Sequence, residues 1–147
     1  MMTTPKSKGK QRSASLKAMD YLARRDHSEK ELREKLAQHY EPEEIDHALA
    51  YVINHGWLLP PHELSEKVSE SLNRKKKSHF FIINYLRKKG LPPVKKNEDT
   101  EQEKALAVLE LKAKDISDYT YLHSLLKNRG FDTDTIRKVI NEIRRDS

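Results

Sequence analysis

Apolar residues return at helical spacing along most of this chain, and runs that alternate as a strand would are scarce. Leu16, Met19, Leu22 and Ala23 fall on one stripe of a helix that starts near Ser15. Ser28-Glu29-Lys30-Glu31 reads as a capping box: the serine oxygen takes an orphan backbone N–H, and Glu31 reaches back to the cap. Leu32 and Leu36 form an i, i+4 pair on the helix it opens. Pro42 suits a first helical position, and Ile45, Ala48, Leu49, Val52 and Ile53 follow helix spacing. Gly56 is placed to end that helix in a left-handed turn.

Pro60-Pro61 breaks the chain before a fourth helix with Leu64, Val68, Ser71 and Leu72 inward. Ser78 caps a fifth, which uses Ile82, Tyr85 and Leu86 and ends at Gly90. Pro92 to Asp99 reads as a polar linker, and Thr100-Glu101-Gln102-Glu103 as a second capping box. Ala105, Leu106, Leu109 and Ala113 mark the sixth helix. A seventh runs through Leu122, Leu125 and Leu126 into Gly130, and the last carries Ile136, Val139, Ile140 and Ile143.

These helices repeat. Tyr85-Leu86-Arg87-Lys88-Lys89-Gly90-Leu91 is echoed 40 residues later by Leu125-Leu126-Lys127-Asn128-Arg129-Gly130-Phe131. Tyr40-Glu41-Pro42-Glu43-Glu44-Ile45 aligns in the same way with Phe131-Asp132-Thr133-Asp134-Thr135-Ile136. A period of this size marks a supersecondary unit that buries its apolar face only against its neighbours. The expected architecture is all-α: an elongated, curved array of tandem three-helix repeats over about 14–59, 60–99 and 100–147, within one domain. The third helix of the middle repeat is truncated in this reading. Residues 1–13 are basic and unpatterned, and read as a disordered tail.

Composition narrows the function. Only 35% of the 147 residues are hydrophobic, and an equal 35% are charged, which favours thin helical layers over a thick core. Cysteine is absent, which excludes disulfides, thiolate metal sites and cysteine nucleophiles. No apolar run is long enough to span a membrane, and the N-terminus lacks the apolar core of a secretory signal, so a cytoplasmic protein is expected. The net charge of +6 is segregated. Residues 71–97 carry nine basic residues and no acid, whereas residues 18–70 carry a net −6. That pattern suits a polyanion or an acidic protein face.

The candidate interaction residues are therefore Arg74, Lys75, Lys76, Lys77, Arg87, Lys88 and Lys89, with Arg24 and Arg25 beside them. All sit at expected helix C-termini, where cations also complement the helix dipole. His27 reads as a packing or turn residue, and Trp57 as a core plug at a repeat junction. Glu43, His47 and Tyr51 share a helix face, but the metalloprotease His-Glu-x-x-His pattern is missing, as are a phosphate loop and a nucleophile elbow. No enzyme activity and no cofactor are expected.

Arg24-Arg25-Asp26-His27-Ser28-Glu29-Lys30-Glu31-Leu32-Arg33-Glu34-Lys35-Leu36 resembles the first-repeat motif of the bacterial RecX family. His55-Gly56-Trp57-Leu58-Leu59 resembles its junction into repeat two. Leu86-Arg87-Lys88-Lys89-Gly90-Leu91 and Arg129-Gly130-Phe131-Asp132 resemble its later repeat endings. Two departures fall in the middle repeat. Pro60-Pro61-His62-Glu63-Leu64-Ser65 stands where the family usually has two acids and a Phe-Ala pair, and Lys77 or Ser78 replaces a common glycine. The resemblance implies a regulator that binds RecA and the RecA–DNA filament and limits filament growth, ATP hydrolysis and strand exchange in recombination and repair; a monomer is expected. Weak direct contact with DNA is compatible with it. The alternative is a helical module that binds DNA phosphates independently of RecA.

Overall fold

The computed structural model describes residues 13–146. The expected tail over 1–13 lies outside the described residues except for Ser13. Among the described residues there are eight α-helices and no strand: α1 (Ala14–Arg24), α2 (Glu29–Leu36), α3 (Pro42–Asn54), α4 (Pro61–Arg74), α5 (His79–Lys88), α6 (Glu98–Lys112), α7 (Tyr119–Lys127) and α8 (Thr133–Arg145). None of these helices is long and apolar enough to cross a membrane.

Local signals set the helix ends. The Ser28 capping box is formed in full: Glu31 N–H donates to Ser28 Oγ and Ser28 N–H donates to Glu31 Oε1, both at 3.1 Å. Pro42 opens α3. Ser78 caps α5 by accepting from Phe81 N–H at 3.2 Å. Gly56, Gly90 and Gly130 all adopt left-handed backbone, at φ of 73°, 73° and 90°. After α3, Trp57 N–H donates to Val52 O while Gly56 N–H donates to Ile53 O, the paired bonds of a Schellman ending. Gly130 and Phe131 repeat that pairing after α7.

The chain divides into two compact units. The first runs to Leu64 and includes Lys89–Leu91. Its core is Ala14 and Ala18 of α1, Leu32 and Leu36 of α2, and Ile45, Ala48, Leu49 and Val52 of α3. Three of these eight are alanines, which let the α1 and α3 backbones approach. Each buried leucine contributes about 1.5–3 kcal/mol. The second unit is Ser65–Lys88 with the chain from Pro92 onward. Its core is Ala105, Val108 and Leu109 of α6, Leu122 and Leu126 of α7, Phe131, and Ile136, Val139 and Ile140 of α8. Between the two complete helix triplets, the middle repeat has only α4 and α5, and residues 89–97 form no helix.

Three expectations need correction. Helix α6 does not start from a Thr100 capping box; it begins at Glu98, and Asn97 is its cap, accepting from Thr100 N–H at 2.9 Å. The carboxylate of Glu101 is drawn inward instead, as described below. Leu16 and Ile53 face outward, because each sits roughly 100° or more around its helix from the buried line. Trp57 is not core: it is 41% exposed, with its ring stacked on His55 at 4.6 Å and edge-on to Tyr51 at 5.8 Å.

Candidate partner-binding site

The nine candidate cations occupy three settings. Arg24 is the last residue of α1, and Arg25 follows as its extended C-cap. In the same unit, the segment Lys89–Leu91 packs on the start of α2, where a side chain on Gly90 would meet Lys30 Cβ at 3.0 Å. This closeness brings Arg25 and Lys89 to one carboxylate. Lys89 Nζ lies 2.8 Å from Glu31 Oε2, and Arg25 Nη2 lies 3.0 Å from the same oxygen. The Glu31 side chain is only 13% exposed. Burial alone would raise its pKa, but hydrogen bonds from Lys89, from the Ser28 backbone and from Arg25 outweigh that and lower it to about 2. Arg25 and Lys89 are thus held by a carboxylate of the chain itself.

His27 sits behind this cluster, buried, with Nδ1 3.0 Å from Arg25 O and Nε2 2.7 Å from Lys35 Nζ. An ammonium can only donate, so Nε2 accepts and Nδ1–H donates to the carbonyl. Burial lowers the pKa of this neutral imidazole, and the nearby Arg25 and Lys35 charges act in the same direction. The packing role read for His27 matches this placement.

The second setting is the turn from α4 to α5. Arg74, Lys75, Lys76 and Lys77 are all exposed there. Lys77 N–H donates to Leu72 O, and Lys76 N–H donates to Asn73 O, so this turn is also a Schellman ending. Lys76 holds the left-handed position at φ 64°, where the other endings use glycine. Lys76, and neither Lys77 nor Ser78, thus takes the conformation that a glycine would suit. A left-handed non-glycine residue costs about 1–2 kcal/mol.

A buried ion pair on α6 holds this strained turn in place. Lys104 Nζ donates to the Glu101 carboxylate, to Asn73 Oδ1 at 2.6 Å and to Lys77 O at 2.7 Å. Glu101 Oε1 accepts from His79 N–H at 2.9 Å. The lysine therefore satisfies a carbonyl just past α4, and the glutamate satisfies an orphan N–H at the start of α5. Their side chains are 3% and 6% exposed. Sequence reasoning missed this pair, reading Glu101 as part of a cap. The available signal was their place on the stripe Glu101, Lys104, Ala105, Val108 and Leu109, which has the spacing of a buried helix face.

The third setting is the end of α5. Arg87 and Lys88 are exposed in its last turn, and Arg87 Nη1 donates to Asn84 Oδ1 at 2.7 Å. Lys77 Nζ lies 4.9 Å from the Phe81 ring centroid, which links the second setting to this helix. Among the described residues, no group of three or more His, Asp or Glu side chains is placed to hold a metal ion.

Residues 14–51 match the family described as RecX, first three-helix domain. The regulatory protein RecX of Prosthecochloris aestuarii is 31% identical over 143 residues, which cover 90% of this chain and 94% of that protein. This chain belongs to the RecX family. The crystal structure of RecX from Lactobacillus salivarius shares the fold, with a TM-score of 0.75 at 18% identity over 89% of this chain and 94% of that one. A second crystal structure of a regulatory protein RecX gives a TM-score of 0.72 at 16% identity, over 87% of this chain and 71% of the other. Of the segments that resemble RecX motifs, Arg24–Leu36 supplies Arg25 and Glu31, within the matched residues 14–51, and Leu86–Leu91 supplies Lys89. Much of the motif is therefore a structural cluster. The exposed basic turn at Arg74–Lys77 lies outside those motifs.

Proposed function

We propose that this protein binds RecA and its nucleoprotein filament and limits filament growth, ATP hydrolysis and strand exchange. It acts in this reading as a cytoplasmic monomer, without catalysis or cofactor. RecX membership supports the regulatory role. The observation that carries a binding surface is the display of Arg74–Lys77, Arg87 and Lys88 at two successive helix ends, in a segment without acids. Charges displayed in this way steer association with a filament that bears DNA phosphates and acidic protein. Lys89 and Arg25 contribute less in this reading, because Glu31 already neutralises them.

The test is the DNA-dependent ATPase of RecA with sub-stoichiometric protein added. Slower hydrolysis and shorter filaments are expected, and no effect on either refutes the reading. Lys75→Glu, Lys76→Glu and Lys88→Glu combined should weaken filament association while the helical circular dichroism persists. Lys89 is left intact, since its loss would disturb Glu31. The same exposed cations favour a second reading, direct binding to DNA phosphates. It requires bare-DNA affinity equal to filament affinity, with a salt slope of about −0.9 per phosphate contacted.

A further inference from the structure

The second unit carries another surface, which shares only Lys88 with the candidate cations of the basic segment. Phe80, Phe81, Tyr85 and Lys88 of α5 face Lys127 and Arg129 at the end of α7 across a cleft of about 340 Å³. No Asp or Glu is among the residues lining it. Phe80 is 67% exposed. Its position is imposed from below: a side chain on Gly130 would meet Phe80 Cδ2 at 3.4 Å and Ser78 Oγ at 2.7 Å. The glycine lets the start of α5 close onto the end of α7, and that contact holds one edge of the Phe80 ring while most of the side chain faces solvent. Phe80 stands next to Phe81, itself 41% exposed, and adjoining exposed aromatics beside a charged rim mark a surface that a partner covers.

The charge and the ring count decide the kind of partner. A rim of Lys88, Lys127 and Arg129 with no lining carboxylate is complementary to acidic groups. Single-stranded nucleic acid would be held by successive aromatic faces, each stacking one base. Here Phe81 is already engaged, with Lys77 over its ring at 4.9 Å and Tyr85 stacked at 6.4 Å. Phe80 remains as a single apolar anchor between cations. We propose that this cleft docks an acidic protein segment carrying one apolar anchor side chain, with Phe80 as the contact and Lys88, Lys127 and Arg129 receiving its carboxylates. The proposal rests on the reading that the partner is the RecA filament, and it names where on the second unit that partner is engaged.

The experiment compares the full-length chain with Phe80→Ala and with Lys127→Glu/Arg129→Glu. Co-sedimentation measures binding to RecA–DNA filaments, and anisotropy measures binding to a bare labelled oligo-dT. Phe80→Ala should weaken filament binding about tenfold or more, the loss typical of a truncated anchor, with an unchanged circular dichroism spectrum and melting temperature. The charge reversal should weaken it similarly and flatten its salt dependence. Wild-type binding that Phe80→Ala leaves intact overturns the cleft and spares the regulatory reading. Failure of the wild type to bind filaments at all overturns both. Equal losses on bare oligo-dT and on filaments overturn the acidic-segment assignment in favour of nucleic acid. A wild-type dimer that Phe80→Ala dissolves overturns it in favour of a second copy of the chain.

Discussion

Changing Lys104 to methionine keeps most of the side-chain stem and removes the ammonium. Three acceptors then lose their donor together: the Glu101 carboxylate, Asn73 Oδ1 and Lys77 O. With the pair's side chains only 3% and 6% exposed, water cannot readily take the place of the lysine. Removing one partner of a buried pair costs about 3–5 kcal/mol, chiefly from the stranded charge. Glu101 keeps the His79 N–H at 2.9 Å, which places Lys104→Met at the lower end of that range, about 3 kcal/mol. Glu101→Gln keeps an acceptor for His79 but leaves the buried Lys104 ammonium with only the neutral acceptors Asn73 Oδ1 and Lys77 O, so its loss should also be about 3 kcal/mol. Urea unfolding followed by circular dichroism reads these values. For a slope of about 2 kcal/mol per molar urea, Lys104→Met lowers the midpoint by about 1.5 M. The double variant Lys104→Met/Glu101→Gln removes the stranded charge, so its loss should fall short of the sum of the two single losses by about 1–2 kcal/mol. A Lys104→Met loss below about 1 kcal/mol, or strict additivity in the cycle, would refute the view that this pair holds the α4–α5 turn.

Lys76→Gly should raise stability by about 0.5–1 kcal/mol, because relief of left-handed strain exceeds the entropy that glycine adds to the unfolded chain. A lower melting temperature for that variant would contradict the strain at φ 64°. Glu31 has a folded pKa of about 2 against an ordinary value of 4.5. Its contribution is therefore present above about pH 4.5 and is lost as pH falls toward 2. Glu31→Gln should flatten the acid limb of stability against pH in that window, leaving the part due to Asp132, whose pKa is also lowered to about 2. An acid limb as steep as the wild type's would remove Glu31 from the cluster's energetics. Gly56→Ala and Gly130→Ala separate strain from packing. Both force a left-handed alanine, but the new methyl meets nothing at Gly56 and would sit 2.7 Å from Ser78 Oγ at Gly130. Gly56→Ala should cost about 1 kcal/mol and Gly130→Ala about 2 kcal/mol or more. Equal losses in thermal denaturation would show that the close approach at Gly130 carries no energy.

The readable features of this chain were the local ones. A serine that caps its own helix, a glycine that ends one and an apolar stripe at helix spacing each act within a few residues, so all eight helices could be placed before their partners were known. Features that depend on a distant partner were misread. Lys89 looked like one more cation in an acid-free segment, yet its counter-ion is Glu31, 58 residues earlier. Lys96 belongs to the same class, paired with Glu98 and with Asp132, which lies 36 residues later. Counting charge along the sequence therefore overstates what this segment offers a partner. Trp57 was misread in the opposite sense: its size suggested core, but its local stack on His55 and Tyr51 needs no burial. Lys104 was the hardest case, because a charged residue on an apolar stripe reads as a solvated gap until its acceptors are in place. The lesson is specific to segments such as 71–97. Its cations Lys89 and Lys96 are bound by the chain's own carboxylates, and Lys104 with Glu101 shapes the turn that exposes Arg74, Lys75, Lys76 and Lys77. The proposed binding should therefore depend on acids that touch no partner, and charge reversal at Glu31 or Glu101 should act through the shape of the fold before it acts on any partner's charge.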